Sequence, residues 1–210
     1  MSTYTKQPGT KFSILDQYYS TVNTHTGDYL EVYAGAGYGY TTRRSLLHFD
    51  ISDFSGDAAS VNTGKLYLYY CNTTNDPTGY TLDIFRVLRS DWNEYDSCWE
   101  YYTTCMIPWS VTGCDNDGTD YTSTNAASIA MPGSYGWLEI DITNMIKDAI
   151  TSASKQLHLI IRFHYTEEEY GQQAQFYSNL YTGDTSLTPK VIVDYASGTA
   201  NNAIFFGTNF

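Results

Sequence analysis

The feature that most constrains this chain is a succession of short alternating segments, each closed off by turn-forming residues. In Lys65-Leu66-Tyr67-Leu68-Tyr69-Tyr70 the period is two. Side chains of a strand point alternately to opposite faces, so Leu66 and Leu68 share one face and Tyr67 and Tyr69 the other. Comparable segments lie at 13–19, 29–33, 44–51, 81–87, 137–141, 157–163, 175–177 and 189–195. Many short strands separated by turn clusters predict an all-β fold, a sandwich or barrel. One helix is expected, because Ile142, Met145, Ile146, Ala149 and Ile150 recur at helical spacing behind Thr143 or Asn144, either of which can cap it. Residues 91–136 show little strand pattern and predict a long irregular loop that carries function or packs as a cap.

Length and charge narrow the function. At 210 residues the chain suits one β-sandwich. It carries 11 Lys+Arg against 23 Asp+Glu, a formal charge of −12, which repels a phosphate backbone and excludes nucleic-acid binding as the main role. No stretch approaches the roughly 18–20 apolar residues of a membrane helix. The 21 tyrosines, one residue in ten, supply amphipathic surface with an apolar body and a polar tip. The first residues show no basic segment followed by an apolar one. The expectation is either a leader already cut off, with a Met added for expression, or a protein made in a cytoplasm that leaves by another route such as lysis.

Three segments divide the chain: an N-terminal arm at 1–11, the sandwich at 12–195, and an apolar tail at 196–210. Ile204, Phe205, Phe206 and Phe210 in the tail are candidate assembly residues, since a closed domain does not need them. Cys98, Cys105 and Cys114 lie close together and can form a disulfide in an oxidising medium, with the pairing open. Their spacing, and the scattered histidines, do not suit zinc.

Asp115, Asp117 and Asp120, with Gly118 between them, form a run of the hard-oxygen type that suits a structural Ca²⁺. It is no EF-hand, lacking the closing Glu, and an acidic turn in solvent is the competing reading. No other cofactor is expected. Trp92, Glu94, Trp99, Tyr101 and Tyr102 can form an aromatic platform for a sugar ring. The stronger reading of the tryptophans is packing that anchors the long loop, since large aromatic side chains are mostly buried. Glu139 and the run Glu167-Glu168-Glu169 are the carboxylates a glycosidase would need at a set separation. A solvated turn explains the run more simply, and no nucleophile elbow or phosphate loop is present. The chain is therefore not expected to be an enzyme.

Several segments in order resemble one family. Arg43-Arg44-Ser45-Leu46-Leu47-His48-Phe49-Asp50-Ile51-Ser52 resembles the arginine-leucine-arginine-phenylalanine-aspartate strand of the DNRLRE, or disaggregatase-related, family. Residues 61–70 resemble its next strand. Ile84-Phe85-Arg86-Val87, then Asp91-Trp92-Asn93-Glu94 and Trp99, resemble a further stretch, as do Gly118-Thr119-Asp120-Tyr121, residues 137–150 and residues 189–195. The resemblance spans about 12–195. It implies a jelly-roll β-sandwich with one short helix and a long irregular loop, often a non-catalytic module of polysaccharide-active enzymes, surface proteins and phage virions. Some relatives bind carbohydrate. With the lone domain, the tyrosines and the tail, this leads to the expectation of a structural virion protein. It would be a capsid decoration or a tail or fibre component on the virion surface, with surface (glycan) adhesion. Its partners would be other virion proteins, copies of itself, or a glycan. The alternative is a carbohydrate-binding module of a secreted or cell-surface protein.

Overall fold

A computed structural model gives the architecture and describes residues 1–9, 11–24, 27–35, 41–104, 106–167 and 171–197. Thirteen strands and one α-helix follow in order among them: β1 (Ser2–Lys6), β2 (Phe12–Asp16), β3 (Tyr29–Tyr33), β4 (Arg43–Asp50), β5 (Val61–Asn72), β6 (Thr81–Val87), β7 (Tyr101–Thr103), β8 (Ile107–Pro108), β9 (Tyr121–Ala130), β10 (Gly136–Asp141), α1 (Thr143–Thr151), β11 (Gln156–Phe163), β12 (Gln173–Tyr177) and β13 (Lys190–Tyr195). All pairings between these strands are antiparallel.

Eleven strands form one sheet that curls over itself into a jelly-roll-like β-sandwich. Its front half is organised by β5, long enough to serve three neighbours. Its early residues pair with β13, its last ones with β12, and its other edge with β10. β3 continues beyond β12. The back half runs β2–β4–β11–β6–β9. The strand ladder between the halves is a single pair, Tyr33 opposite Arg43.

Burial explains the alternation. Leu66, Leu68, Leu138, Ile140, Phe176, Val191 and Val193 from the front meet Leu47, Phe49, Leu82, Ile84, Leu159, Ile161 and Phe163 from the back in one core. Each such side chain contributes about 1.5–3 kcal/mol when removed from water. The back half is buried on its other face as well, because residues 88–120 fold over it. Trp92, Trp99, Tyr102, Trp109 and Cys114 of that segment pack on Leu15, Leu46, Phe85, Val87, Tyr121 and Ile160 in a second core. Hence Leu157-His158-Leu159-Ile160-Ile161 reads as a nearly continuous apolar run, as a strand covered on both faces should.

The structure corrects four expectations. The arm at 1–11 is in part a strand: β1 pairs with β13 along its length, Ser2 opposite Tyr195 and Lys6 opposite Val191. The stretch 91–136 contains a ten-residue strand, β9, paired with β6. It lies on the edge of the back half and is mostly exposed, so it needs no large apolar alternation. β2 ends at Asp16 rather than Tyr19, because the Asp16 carboxylate accepts from the Tyr18 N–H (2.9 Å) and turns the chain. Neither Thr143 nor Asn144 caps α1, whose N-cap is Ile142. Thr143 Oγ1 instead accepts from the Gly64 N–H on β5 (2.9 Å), and Asp141 accepts from the Thr143 N–H (2.9 Å). Gly64 allows this approach: a Cβ there would fall 2.4 Å from Ile146 Cδ1.

Candidate functional site

The outward face of the front half carries what the alternation leaves over. Trp137 stands opposite Tyr69 across β10 and β5, Glu139 opposite Tyr67, and Lys190 opposite Tyr67 from the other side. Tyr69 stacks on Tyr177 (5.6 Å between centroids, 24° between planes), and Tyr177 on Tyr29 (6.0 Å, 24°) and on Tyr181 (3.8 Å, 15°). Trp137 is perpendicular to Tyr69 and close to perpendicular to Tyr67. The result is an aromatic ribbon crossing β10, β5, β12 and β3. Trp137 is its most open ring, 38% exposed. Edge-to-face pairs such as Trp137 with Tyr69 and Tyr67 are arrangements ring quadrupoles favour, so Trp137 is held before any ligand arrives.

Polar groups flank the ribbon. Lys190 Nζ lies 4.1 Å above the Trp137 ring. Glu139 is bonded by Lys65 and accepts from the Tyr67 hydroxyl (2.9 Å), and the Lys65 contact lowers the Glu139 carboxyl. A hydrogen bond with Tyr181 is the main cause that lifts the Tyr177 phenol to about 12. Beside the tyrosines runs a row of polar side chains. Asn72 donates to Gln175 (2.7 Å), Gln175 to Glu31 (2.8 Å), and Arg43 bridges Glu31 (2.5 Å) and Asp16 (2.7 Å). A depression of about 220 Å³ opens there between Asp16, Tyr19, Tyr29, Glu31 and Arg43. Ring faces and edges thus share one face with a lysine, phenol hydroxyls and the exposed Asn72 amide, a combination that can hold a polyhydroxylated ligand by apolar contact and hydrogen bonds together.

The residues singled out from sequence fare differently. Trp92 and Trp99 are buried, 1% and 8% exposed, and Tyr102 is buried beside them, so these three form no sugar platform. They are the packing residues of the loop cap. Gly113 passes so close to Trp99 that a Cβ would lie 2.7 Å from its ring. Glu94 and Tyr101 sit half-buried at the cap.

The three aspartates do not converge on an ion, and the described residues hold no cluster of three or more metal-ligating side chains. Each carboxylate is already engaged. Asp115 pairs with the buried Arg44 and Arg162. Asp117 accepts from the Ser123 N–H (2.9 Å) and its hydroxyl. Asp120 is fully buried and accepts from the N–H groups of Ser110 (2.8 Å), Val111 (2.9 Å) and Asn116 (3.3 Å). Asp115 and Asp120 frame the cap from within, their charges meeting guanidinium groups and loop amides, while Asp117 is exposed and turned onto Ser123.

Cys114 is a free, fully buried thiol, which excludes both pairings through it. Cys105 lies outside the described residues, as do Ile204, Phe205, Phe206, Phe210, Glu168 and Glu169. Glu167 accepts from the Thr81 N–H (2.6 Å). Asp83 holds His164 Nδ1 (2.7 Å) and also accepts from Ser128 (2.5 Å). Among the described residues, no hydroxyl or thiol bonds to the other His164 nitrogen, so the pair lacks a nucleophile partner.

Sequence reasoning placed Tyr67 and Tyr69 together on the face opposite Leu66 and Leu68 but missed that Trp137, Tyr177, Tyr29 and Lys190 join them. The period-two pattern carried that signal in part. Which strands neighbour β5 was not in it.

A jelly-roll-like sandwich with one capped face and one open aromatic face is therefore the class. A family model described as the disaggregatase related repeat domain matches residues 14–193, and the chain belongs to that family. Among curated proteins, none matches the chain.

Proposed function

We propose that the protein is a non-catalytic binding module that adheres to a polysaccharide through the outer face of its front half. The observation that carries this reading is Trp137, held open beside the Tyr69–Tyr177–Tyr29 stack with Lys190 over its ring. Exposed aromatic surface rimmed by polar groups marks interaction sites. The formal charge of −12 favours a neutral polymer over an acidic one. Glu139, the carboxylate nearest the ribbon, is tied to Lys65 and Tyr67, an arrangement that suits binding rather than proton transfer. A place on a virion surface, with other virion proteins or further copies as partners, draws on the apolar tail and takes no separate support from this face.

The test is retention in gels loaded with a panel of neutral and acidic polysaccharides. Retention by at least one neutral polymer is expected, with a loss of roughly tenfold or more in affinity for Trp137→Ala and no change for Tyr165→Ala on an unrelated surface. Equal retention of Trp137→Ala would overturn the reading. So would release of reducing ends from the bound polymer.

A further inference from the structure

Among the described residues, seven buried side-chain nitrogen or oxygen atoms lack a hydrogen-bond partner, and four of them belong to Arg86, Arg89, Trp92 and His158. Native proteins leave few such atoms, so each calls for a physical account. Two of these residues, Arg86 and His158, line a single cleft of about 180 Å³ in the back half, together with Ser90, Ser152, Ser154 and Gln156.

Of the groups lining this cleft, the Ser90 and Ser154 hydroxyls and His158 Nδ1 are uncommitted among the described residues, and Arg86 has only a long ion pair. The Arg86 side chain makes no hydrogen bond to a described residue. Its nearest opposite charge is Asp148 at 3.9 Å, which is itself held by Asn125 (3.0 Å). His158 is 5% exposed and stacks on His48 (4.6 Å) with Trp92 edge-on (6.0 Å), and its Nδ1 is unpartnered. The Ser90 and Ser154 hydroxyls bond to no described residue. The negative end of α1 lies close by, but its last carbonyls are occupied. Thr151 Oγ1 donates to the Asp148 carbonyl (2.8 Å), and Ser152 Oγ to that of Ala149 (2.7 Å). Gln156 is engaged with Asp50 and His48.

We infer that this cleft is a binding site for a small oxyanion of sulfate or phosphate size, with Arg86 as its charged partner and Ser90, Ser154 and the His158 ring as its hydrogen-bonding wall. A guanidinium presents five N–H donors in a fixed fork that matches such an anion, and charge-assisted bonds of this kind are the strong ones. The site is independent of the aromatic face and lies on the other half of the sandwich.

The test is titration of the full chain with sulfate and with phosphate at constant ionic strength, sodium chloride serving as control, followed by amide chemical shifts. Saturable shifts confined to residues around 86–90 and 152–158 are expected. Arg86→Gln should weaken them roughly tenfold or more. Ser154→Asp, an exposed position whose change leaves the core intact, should abolish them by adding a like charge. Lys65→Gln on the front face should leave them unaltered. Shifts that match the chloride control, or that survive both Arg86→Gln and Ser154→Asp, would overturn the site.

Discussion

Trp137 and Tyr69 face one another across β10 and β5 with ring centroids 5.3 Å apart and planes at 89°. A cross-strand aromatic pair of this kind contributes roughly 0.2–1 kcal/mol, and Trp137 keeps 38% of its surface in water. Removing it should therefore cost the fold little. Trp137→Ala is expected to lower unfolding free energy by about 1 kcal/mol or less, read from urea melts. A much larger loss would make the ring a packing residue rather than a surface one.

The Tyr177–Tyr181 stack gives a spectroscopic signature. With its phenol held near 12, Tyr177 should ionise late in an ultraviolet pH titration of the folded protein. Tyr181→Phe removes the hydrogen bond that is the first cause of the shift and should bring one tyrosine back toward the ordinary value near 10.

The acidic run should behave as a frame. Asp120→Ala strips a fully buried carboxylate from three loop N–H groups and is expected to cost about 3–5 kcal/mol. Asp117→Ala, at an exposed turn, should stay within about 1 kcal/mol. Thermal melts with and without chelator should coincide. A melting temperature that falls in chelator and is restored by Ca²⁺ would return the run to a metal site.

Acid should weaken the fold in two windows. Burial is the main cause that presses His158 down to about 3, with His48 and Lys11 adding like charge. The unfolded chain takes up this proton as pH falls through about 6.5, while the folded chain does not until about 3. The stability linked to His158 is thus whole above 6.5 and drains away between those values. Asp50, held near 2 chiefly by the Ser52 hydroxyl, acts lower down: its contribution is present above about 3.9 and is lost as pH falls toward 2. Urea midpoints at pH 7, 5 and 4 should decline, and His158→Gln should flatten that decline without touching the lower limb.

Cys71 and Cys114 should be inert while the chain is folded. Burial raises Cys71 to about 12 and Cys114 well above its ordinary value. The thiolate is the reactive species, so neither should react with Ellman's reagent at pH 8 until denaturant is added. Prompt labelling of Cys114 in the native protein would show that the cap opens.

Legibility followed burial. Strands with one face in the core announced themselves, as in Lys65-Leu66-Tyr67-Leu68-Tyr69. So did α1 with its buried Met145, Ile146, Ala149 and Ile150. β9 did not, because Thr122-Ser123-Thr124-Asn125 lie on an exposed edge where no alternation is required. For Trp92 and Trp99, packing was already the stronger reading, and the cap over the back half gives the reason. The front face was half legible. Outward tyrosines follow from the period, but the union of Trp137, Tyr177 and Tyr29 with them depends on β10, β12 and β3 being brought to one sheet. Those are long-range pairings that local sequence does not encode. The acidic run stood between a cation site and a turn in solvent, and the burial of Asp120 and the pairing of Asp115 with Arg44 and Arg162 belong to neither reading.

The register that sets Ser2 against Tyr195 has a mechanical consequence. Both residues sit at the same end of one antiparallel pair, and the ladder bonds lie perpendicular to the strands. Tension applied at these two points would load one rung at a time and peel β1 from β13, as a zip opens, instead of straining all the rungs in parallel. A tether fixed at Ser2 and Tyr195 should therefore yield at low force. A tether drawn between the opposite ends of the two strands, at Ser2 and Lys190, should hold until the whole ladder shears.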